Sequence, residues 1–339
     1  MIRYTPADFK SDQEVKWCPG CGDHAILNSA IKALPVVAQN LNYAHHRFVF
    51  VSGIGCSSRF PYYVQTYGFH GIHGRAAAIA TGVKVANPTL SVWQVSGDGD
   101  SLAIGGNHFI HAIRRNIDIN MLLFNNEIYG LTKGQYSPTS PLGVVTKTSP
   151  YGTIEHPFSP GELVLGARGT FFARSLDIEI NLTKDCMIQA AAHDGTSVVE
   201  ILQNCVIFND KCHNYFAAKE NRAENTITLK HLQRMTFGKD NEKGLILDGL
   251  GLKVVTIGED GITKADIMIH NAQEPNPGIH MMLVNMKAPE MPVAMGVIRD
   301  VKDHTYDDQV RDQLIEVRMR AKLHNVDDLL NSGSTWDVE

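Results

Sequence analysis

The segment GDGDSLAIGGNHFIHAIRRNIDINMLLFNN, residues 97 to 126, constrains the fold more than any other stretch of the chain. It reads as the end of one strand, a crossing helix and a second strand. A crossover of that kind is right-handed and makes its two strands parallel. Both strand ends then emerge on the carboxyl edge of the sheet, where open α/β folds bind ligands. The Gly-Asp-Gly closing the first strand and the Asn-Asn closing the second therefore face one small volume. Asp98 offers an anionic oxygen, Asn126 a neutral one, and Ile128 a backbone carbonyl two residues on. That donor set suits Mg²⁺, whose other octahedral positions go to water and phosphate oxygens, and Gly97 and Gly99 let the backbone approach such a diphosphate. Taken alone, Gly-Asp-Gly is more often a plain turn, and the matching Asn-Asn is what makes it a site.

The rest of the first two thirds repeats the alternation. Asp23 caps a helix whose apolar positions Ile26, Leu27, Ala30, Ile31 and Leu34 keep helical spacing until Pro35. RFVFVSGIG from Arg47 reads as a strand breaking into a Gly-rich turn, HGRAAAIATGVKVA as a closely packed helix, and SVWQV as the next strand. LTKGQYSPTSPLG is a loop too long for a mere connection. TFFARSL, a helix near 181 to 193 and the β-branched TSVVEILQ continue the pattern. The expected fold is an α/β open, mostly parallel sheet with helices on both faces over residues 1–208. Residues 209–339 are richer in charge, carry turn signals in GEDG and EPNPG and an amphipathic helix near 305 to 322, and read as a smaller C-terminal extension that contacts a partner.

Composition narrows the function. With 339 residues, 43% hydrophobic, the chain can build a large core, and its net charge of −5 without a basic run argues against nucleic acid. The polar N-terminus lacks a secretory apolar region and no run approaches a membrane span, so a cytoplasmic protein is expected. In a reducing compartment its six cysteines are buried thiols or metal ligands rather than a disulfide framework. Cys18 and Cys21 in WCPGCGDH are spaced for half a zinc site, half an iron–sulfur site or a redox dithiol, and the stretch does not choose among them. His108 and His111 share a helix face but have no further ligand and are assigned no role.

CPGCG, GIGCSS at 53 to 58, HGRAAAIATG at 73 to 82, GDGDSLAIGGNH and NNEIYGLTKGQYSPTS, in that order, closely resemble the β subunit of the 2-oxoacid:ferredoxin oxidoreductases, above all the two-subunit 2-oxoglutarate enzymes. The resemblance covers roughly residues 12 to 290 and implies thiamine diphosphate (TPP) as cofactor. It places Ile54, Gly55, Cys56, Ser57, His73, Gly99, Asp100, Gly130 and Leu131 around TPP, with Asp98, Asn126 and the Ile128 carbonyl on Mg²⁺. It assigns Cys18, Cys21, Cys56 and Cys205 to one [4Fe-4S] cluster, for which four thiolates are needed. Asn204 stands where family members often carry Pro before the last cysteine. Cys186 and Cys212 are left without a role.

What the resemblance implies chemically is coenzyme A-dependent oxidative decarboxylation of 2-oxoglutarate to succinyl-CoA and CO₂, with electrons leaving singly through the cluster to ferredoxin. The reverse is reductive carboxylation. Lys133 in LTKGQ is expected to meet the distal substrate carboxylate, and His73 to stand at the reacting centre. The family places the glutamate that activates TPP on a pyrimidine-binding α subunit, so the chain is expected to work only in an (αβ)₂ assembly. Three alternatives stay open: the same chemistry on pyruvate or a broad range of 2-oxoacids, a non-redox TPP decarboxylase or synthase subunit with structural zinc, and a noncatalytic scaffold subunit, against which the intact ligand set argues.

Overall fold

The computed structural model describes residues 3–336 and 338. Along the chain, α1 (Asp23–Leu41) leads into β1 (Phe48–Ser52) and the exposed β2 (Tyr67–His70), then α2 (Ala76–Ala86) and β3 (Ser91–Gly97). The short α3 (Asp98–Leu102) and α4 (Gly106–Arg115) carry the chain to β4 (Asn120–Asn125), and β5 (Ile128–Tyr129) and β6 (Gln135–Tyr136) form a small hairpin. After α5 (Pro160–Gly166) come β7 (Phe171–Leu176), α6 (Ile180–Ala192) and β8 (Ser197–Leu202). The last third holds α7 (Asn214–Ala217), α8 (Lys219–Asn225), β9 (Thr226–Leu229), β10 (Thr236–Phe237), β11 (Lys243–Asp248), β12 (Gly251–Thr256), α9 (Gly278–Val284), β13 (Val293–Asp300), α10 (Tyr306–Arg320) and α11 (Val326–Leu330).

Eight strands make one sheet in the order β2-β1-β3-β4-β8-β7-β13-β9. All neighbours pair parallel except β13 and β7, which run antiparallel with a register shift between Val297 and Arg299. The central strands are buried on both faces, which is why they read as continuous apolar runs rather than alternating ones. One layer packs α1 and α6 through Ile26, Leu34 and Met187 onto Phe48, Phe50, Trp93 and Phe124. The opposite layer sets Ala77 of α2, Phe109 and Ile113 of α4, Val164 of α5 and Leu283 of α9 against Val51, Val92, Met121, Leu123 and Val198. Odd and even positions of each strand thus feed different layers, and α/β architecture with helices on both faces is what the chain adopts.

Three expectations need correction. The division at residue 208 separates no independent sheet: β9 and β13 lie beyond it and extend the main sheet, while β10, β11 and β12 form a small sheet of their own. Pro35 does not end the first helix, which continues to Leu41 with Pro35 buried inside it, and Asp23 is its first residue, with Gly22 in the cap position. One missing N–H is tolerated where the face is packed, because burial of Ile31, Leu34, Val37 and Ala38 holds both halves to the sheet. The single crossing helix expected between the Gly-Asp-Gly and Asn-Asn strand ends is two, broken at Ala103 to Gly105, where a Cβ on Gly105 would lie 2.4 Å from the Asp100 carbonyl oxygen.

Candidate functional site

The carboxyl ends of β1, β3, β4 and β8 open into one cleft lined by Ile54, Gly55, Cys56, Ser57, His73, Asp98, Gly99, Asp100, Asn126, Ile128, Gly130 and Leu131. Every residue expected around the cofactor and Mg²⁺ is among them, and Asp23, Tyr129, Thr132 and Gln203 join them. They converge because parallel strands deliver all their following loops to the same edge. At Gly55 the backbone has φ of +129°, and nothing lies within 4 Å of where a Cβ would project. Only glycine takes that conformation readily, so the cleft floor there is bare backbone.

Asp98 opens α3 with its side chain 2% exposed. Its Oδ2 accepts hydrogen bonds from Ser137 Oγ and Thr139 Oγ1, each at 2.5 Å. Burial pushes the Asp98 carboxyl above its usual range, outweighing those two bonds. No basic side chain forms an ion pair with it among the described residues, so a bound cation would find no competing counter-charge there. Asn126 stands beside it, with Oδ1 accepting from the Ile128 N–H at 3.2 Å and Nδ2 donating to Gln203 Oε1 at 2.7 Å. Carboxylate, amide and backbone carbonyl are hard oxygen donors, and they fit Mg²⁺.

Asp100 and Gly99 serve the site less directly than expected. Asp100 accepts from Ser96 Oγ at 2.6 Å and from the Gly74 N–H at 2.8 Å, and its Oδ1 lies 3.3 Å from His73 Nδ1. It thereby anchors the loop that presents His73, whose side chain is 56% exposed. A Cβ on Gly99 would fall 2.2 Å from Tyr129 Cε1, so this glycine makes room for the Tyr129 ring at the cleft. The Tyr129 hydroxyl donates to the Gly99 carbonyl at 3.0 Å, which ties α3 to the β5–β6 hairpin.

Four thiols gather at one side of the cleft. Cys56 lines it, and a Cβ on Gly130 would lie 3.4 Å from Cys205 Sγ and 3.9 Å from Cys56 Sγ. Burial, then the nearby charges of Asp23, Cys205 and Cys18, push the Cys56 thiol up to about 11. Burial likewise raises Cys21, with Asp23, Cys205 and Cys56 adding to it. Each thiolate is costly alone in such a place, and four thiolate ligands are the complement an iron–sulfur cluster would need. Gln203, buried and unremarked in the sequence, donates to Cys21 Sγ at 3.3 Å while accepting from Asn126, so one side chain links the thiol group to the oxygen donors. Cys186 is buried in α6 away from them.

Lys133 stands apart from the cleft lining. It occupies the tip of the β5–β6 hairpin, exposed, with φ of +78° and its N–H donating to the Gly130 carbonyl at 3.1 Å. Gly134 follows at φ of +97°. No ion pair holds the Lys133 ammonium among the described residues, and Thr132 beside it lines the cleft.

Residues 53–201, the span that builds this cleft, match the family described as thiamine pyrophosphate enzyme, C-terminal TPP binding domain. Over 335 residues, covering 98% of the chain and 88% of the relative, the sequence is 47% identical to the 2-oxoglutarate oxidoreductase subunit KorB of Mycobacterium tuberculosis. The chain belongs to the 2-oxoacid:ferredoxin oxidoreductase β subunits. Such a β subunit from Archaeoglobus fulgidus, named 2-oxoglutarate synthase subunit KorB, is 40% identical over 66% of this chain and 78% of its own. A solved 2-oxoglutarate:ferredoxin oxidoreductase from Magnetococcus marinus, with 2-oxoglutarate, coenzyme A and succinyl-CoA bound, matches with a TM-score of 0.75 at 30% identity, covering 99% of this chain and 98% of that one. The β subunit is thus a TPP-binding oxidoreductase subunit. Among its described residues no helix is long and apolar enough to cross a membrane.

Proposed function

We propose that this β subunit, with an α subunit, converts 2-oxoglutarate and coenzyme A to succinyl-CoA and CO₂, releasing one proton and passing two electrons singly to ferredoxin. The same sites run the reverse carboxylation. One observation carries the reading: the buried Asp98 carboxylate, which no basic side chain pairs among the described residues, lines the same cleft as Cys56, and on that cleft Asn126 is linked through Gln203 to Cys21. TPP, when bound, supplies the carbanion that adds to a 2-oxo carbon and holds the electrons left when CO₂ departs. Asp98, Asn126 and the Ile128 carbonyl would hold Mg²⁺ against its diphosphate. Ile54 to Ser57, His73, Gly130 and Leu131 would contact the cofactor, while Asp100 fixes the His73 loop. Cys18, Cys21, Cys56 and Cys205 would carry the [4Fe-4S] cluster, close enough to the cleft to accept electrons one at a time. Lys133 would neutralise the distal carboxylate of the substrate with a compact ammonium on a flexible stem.

The exposed Tyr67 and Phe69 on the edge strand β2, Ile72 next to His73, and the charged α10 would meet partner subunits in an (αβ)₂ assembly. The test is the purified αβ complex given coenzyme A and a panel of 2-oxoacids with a viologen acceptor. Reduction dependent on 2-oxoglutarate, with succinyl-CoA formed, is expected. Reduction with pyruvate at equal kcat/KM would make the enzyme a broad 2-oxoacid oxidoreductase. Decarboxylation without viologen reduction would refute the redox reading altogether.

A further inference from the structure

Beyond the cleft, on the far side of the Asn125–Ile128 loop, Glu127, Cys212 and His213 bring a carboxylate oxygen, a thiol sulfur and an imidazole nitrogen within 4.8 Å of one another. We propose that this triad is a zinc site distinct from the Mg²⁺ and iron–sulfur sites. Several observations point the same way. His213 Nε2 lies 3.1 Å from the Asn125 carbonyl, which can only accept, so that nitrogen carries the proton. Nδ1 then presents a lone pair toward the triad, 4.0 Å from Glu127 Oε1. A ring nitrogen pinned to a backbone carbonyl while the other is turned to a cation is the arrangement that orients histidine ligands in metalloproteins.

The Glu127 carboxylate accepts no hydrogen bond among the described residues, although only 21% of its side chain is exposed. Cys212 Sγ reaches only the Asn126 and Gln203 carbonyls, at the long distances of 3.8 and 3.9 Å. The Glu127 carboxylate and the His213 Nδ1 lone pair thus face each other with no hydrogen-bond donor between them among the described residues, and the Cys212 thiol spends its proton only on those long contacts. Tetrahedral zinc with sulfur at ~2.3 Å and nitrogen and oxygen at ~2.0–2.1 Å needs ligand separations of about 3.3–3.6 Å. Closing from the present spacing takes about 1 Å, within the torsional freedom of Glu127 and Cys212. A thiolate with an imidazole selects zinc over magnesium or calcium.

The triad lines a cavity of about 460 Å³ that also reaches Arg174, Glu200 and Lys287, so water from it can fill the fourth position. Three protein ligands and a water are an ordinary zinc complement. The ion would clamp the loop bearing Asn126 to the segment after Cys205, which is already tied by Asn209 Nδ2 donating to the Asn126 carbonyl at 2.9 Å.

The experiment uses the αβ complex purified without added chelator. Zinc and iron are counted by mass spectrometry, and the zinc environment is read by X-ray absorption, in the wild type and in Cys212→Ser, His213→Gln and Glu127→Gln. The proposal expects one zinc per β subunit with one sulfur and three nitrogen or oxygen neighbours. It also expects zinc to fall to background in Cys212→Ser and His213→Gln while iron is retained. Zinc with four sulfur neighbours, lost in Cys205→Ala but kept in Cys212→Ser, would mean that it sits on the cluster cysteines and would overturn the proposal. So would a wild-type complex that takes up no zinc when offered one equivalent. Should one variant fail to assemble, the sulfur count in the wild-type spectrum still decides: one sulfur neighbour supports the triad, and four place the zinc on the cluster cysteines. Iron content and 2-oxoacid turnover are scored separately, so failure of the zinc site is distinguishable from failure of the redox reading.

Discussion

Replacing Gly99 by alanine tests how the cleft is built. The new Cβ would lie 2.2, 2.6 and 2.8 Å from three carbons of the Tyr129 ring. To reach a normal separation of ~3.5 Å the ring must retreat by about 1.3 Å. It cannot do so cheaply, because its hydroxyl is bonded to the Gly99 carbonyl and its backbone belongs to the short β5 strand. Ile128, the neighbour on that strand, is 5% exposed and supplies the carbonyl proposed for Mg²⁺. Overpacking of this kind costs about 1–3 kcal/mol, and the lost hydrogen bond adds about 1 kcal/mol. If the strain falls on the cofactor-competent geometry, 2–4 kcal/mol corresponds to a loss in TPP affinity of roughly 30- to 700-fold. The assay is calorimetric titration of the αβ complex with TPP at saturating Mg²⁺, with thermal unfolding measured in parallel. The double variant Gly99→Ala/Tyr129→Ala should bind better than the two single effects added together predict, by at least ~1 kcal/mol of coupling. Wild-type affinity and Tm in Gly99→Ala would refute the reasoning, and so would a double variant whose losses simply add, since the ring would then not be what the methyl meets.

Three further outcomes are expected. Cys205→Ala should lose the visible iron–sulfur absorption and electron transfer to viologen, while Cys186→Ala, in the packed face of α6, keeps both; an intact cluster in Cys205→Ala would remove that residue from the ligand set. Lys133→Ala should lower kcat/KM for 2-oxoglutarate about a hundredfold, corresponding to ~3 kcal/mol for a desolvated charge contact, and much less for pyruvate; equal losses would move Lys133 to the shared carboxylate. Burial holds His270 down to about 4 against the bond it makes to the Val297 carbonyl, and its Nδ1 has no partner. A histidine depressed in the fold contributes stability that is present above its ordinary value near 6.5 and lost as the pH falls through 4. The Tm of the wild type should therefore fall across that window more steeply than that of His270→Gln, as differential scanning at stepped pH will show; parallel curves would place the acid sensitivity elsewhere.

Much of the site is legible from the chain alone because its signals are local. Strand chirality makes the crossover between Gly97 and Asn126 right-handed whatever surrounds it, so Asp98 and Asn126 must share an edge. GIGCSS, HGR and the Asn-Asn segment each follow a strand of the same sheet, and they arrive at one cleft for the same reason. What the tertiary structure alone decides depends on pairing between segments far apart in sequence. Periodicity cannot tell that MPVAMGVIRD is a strand of the main sheet, because β13 is buried on both sides and gains its place by antiparallel pairing with β7 and parallel pairing with β9. Asp100 and Gly99 sit in the same motif as Asp98, yet the turn of α3 sends one to the His73 loop and sets the other against a ring from the next hairpin. Gln203 becomes a link only once β8 lies beside β4. Glu127 and the Cys212–His213 pair meet for a similar reason: each leaves the sheet at the same edge, and side-chain donors so distant in the chain have no spacing by which a sequence could announce them.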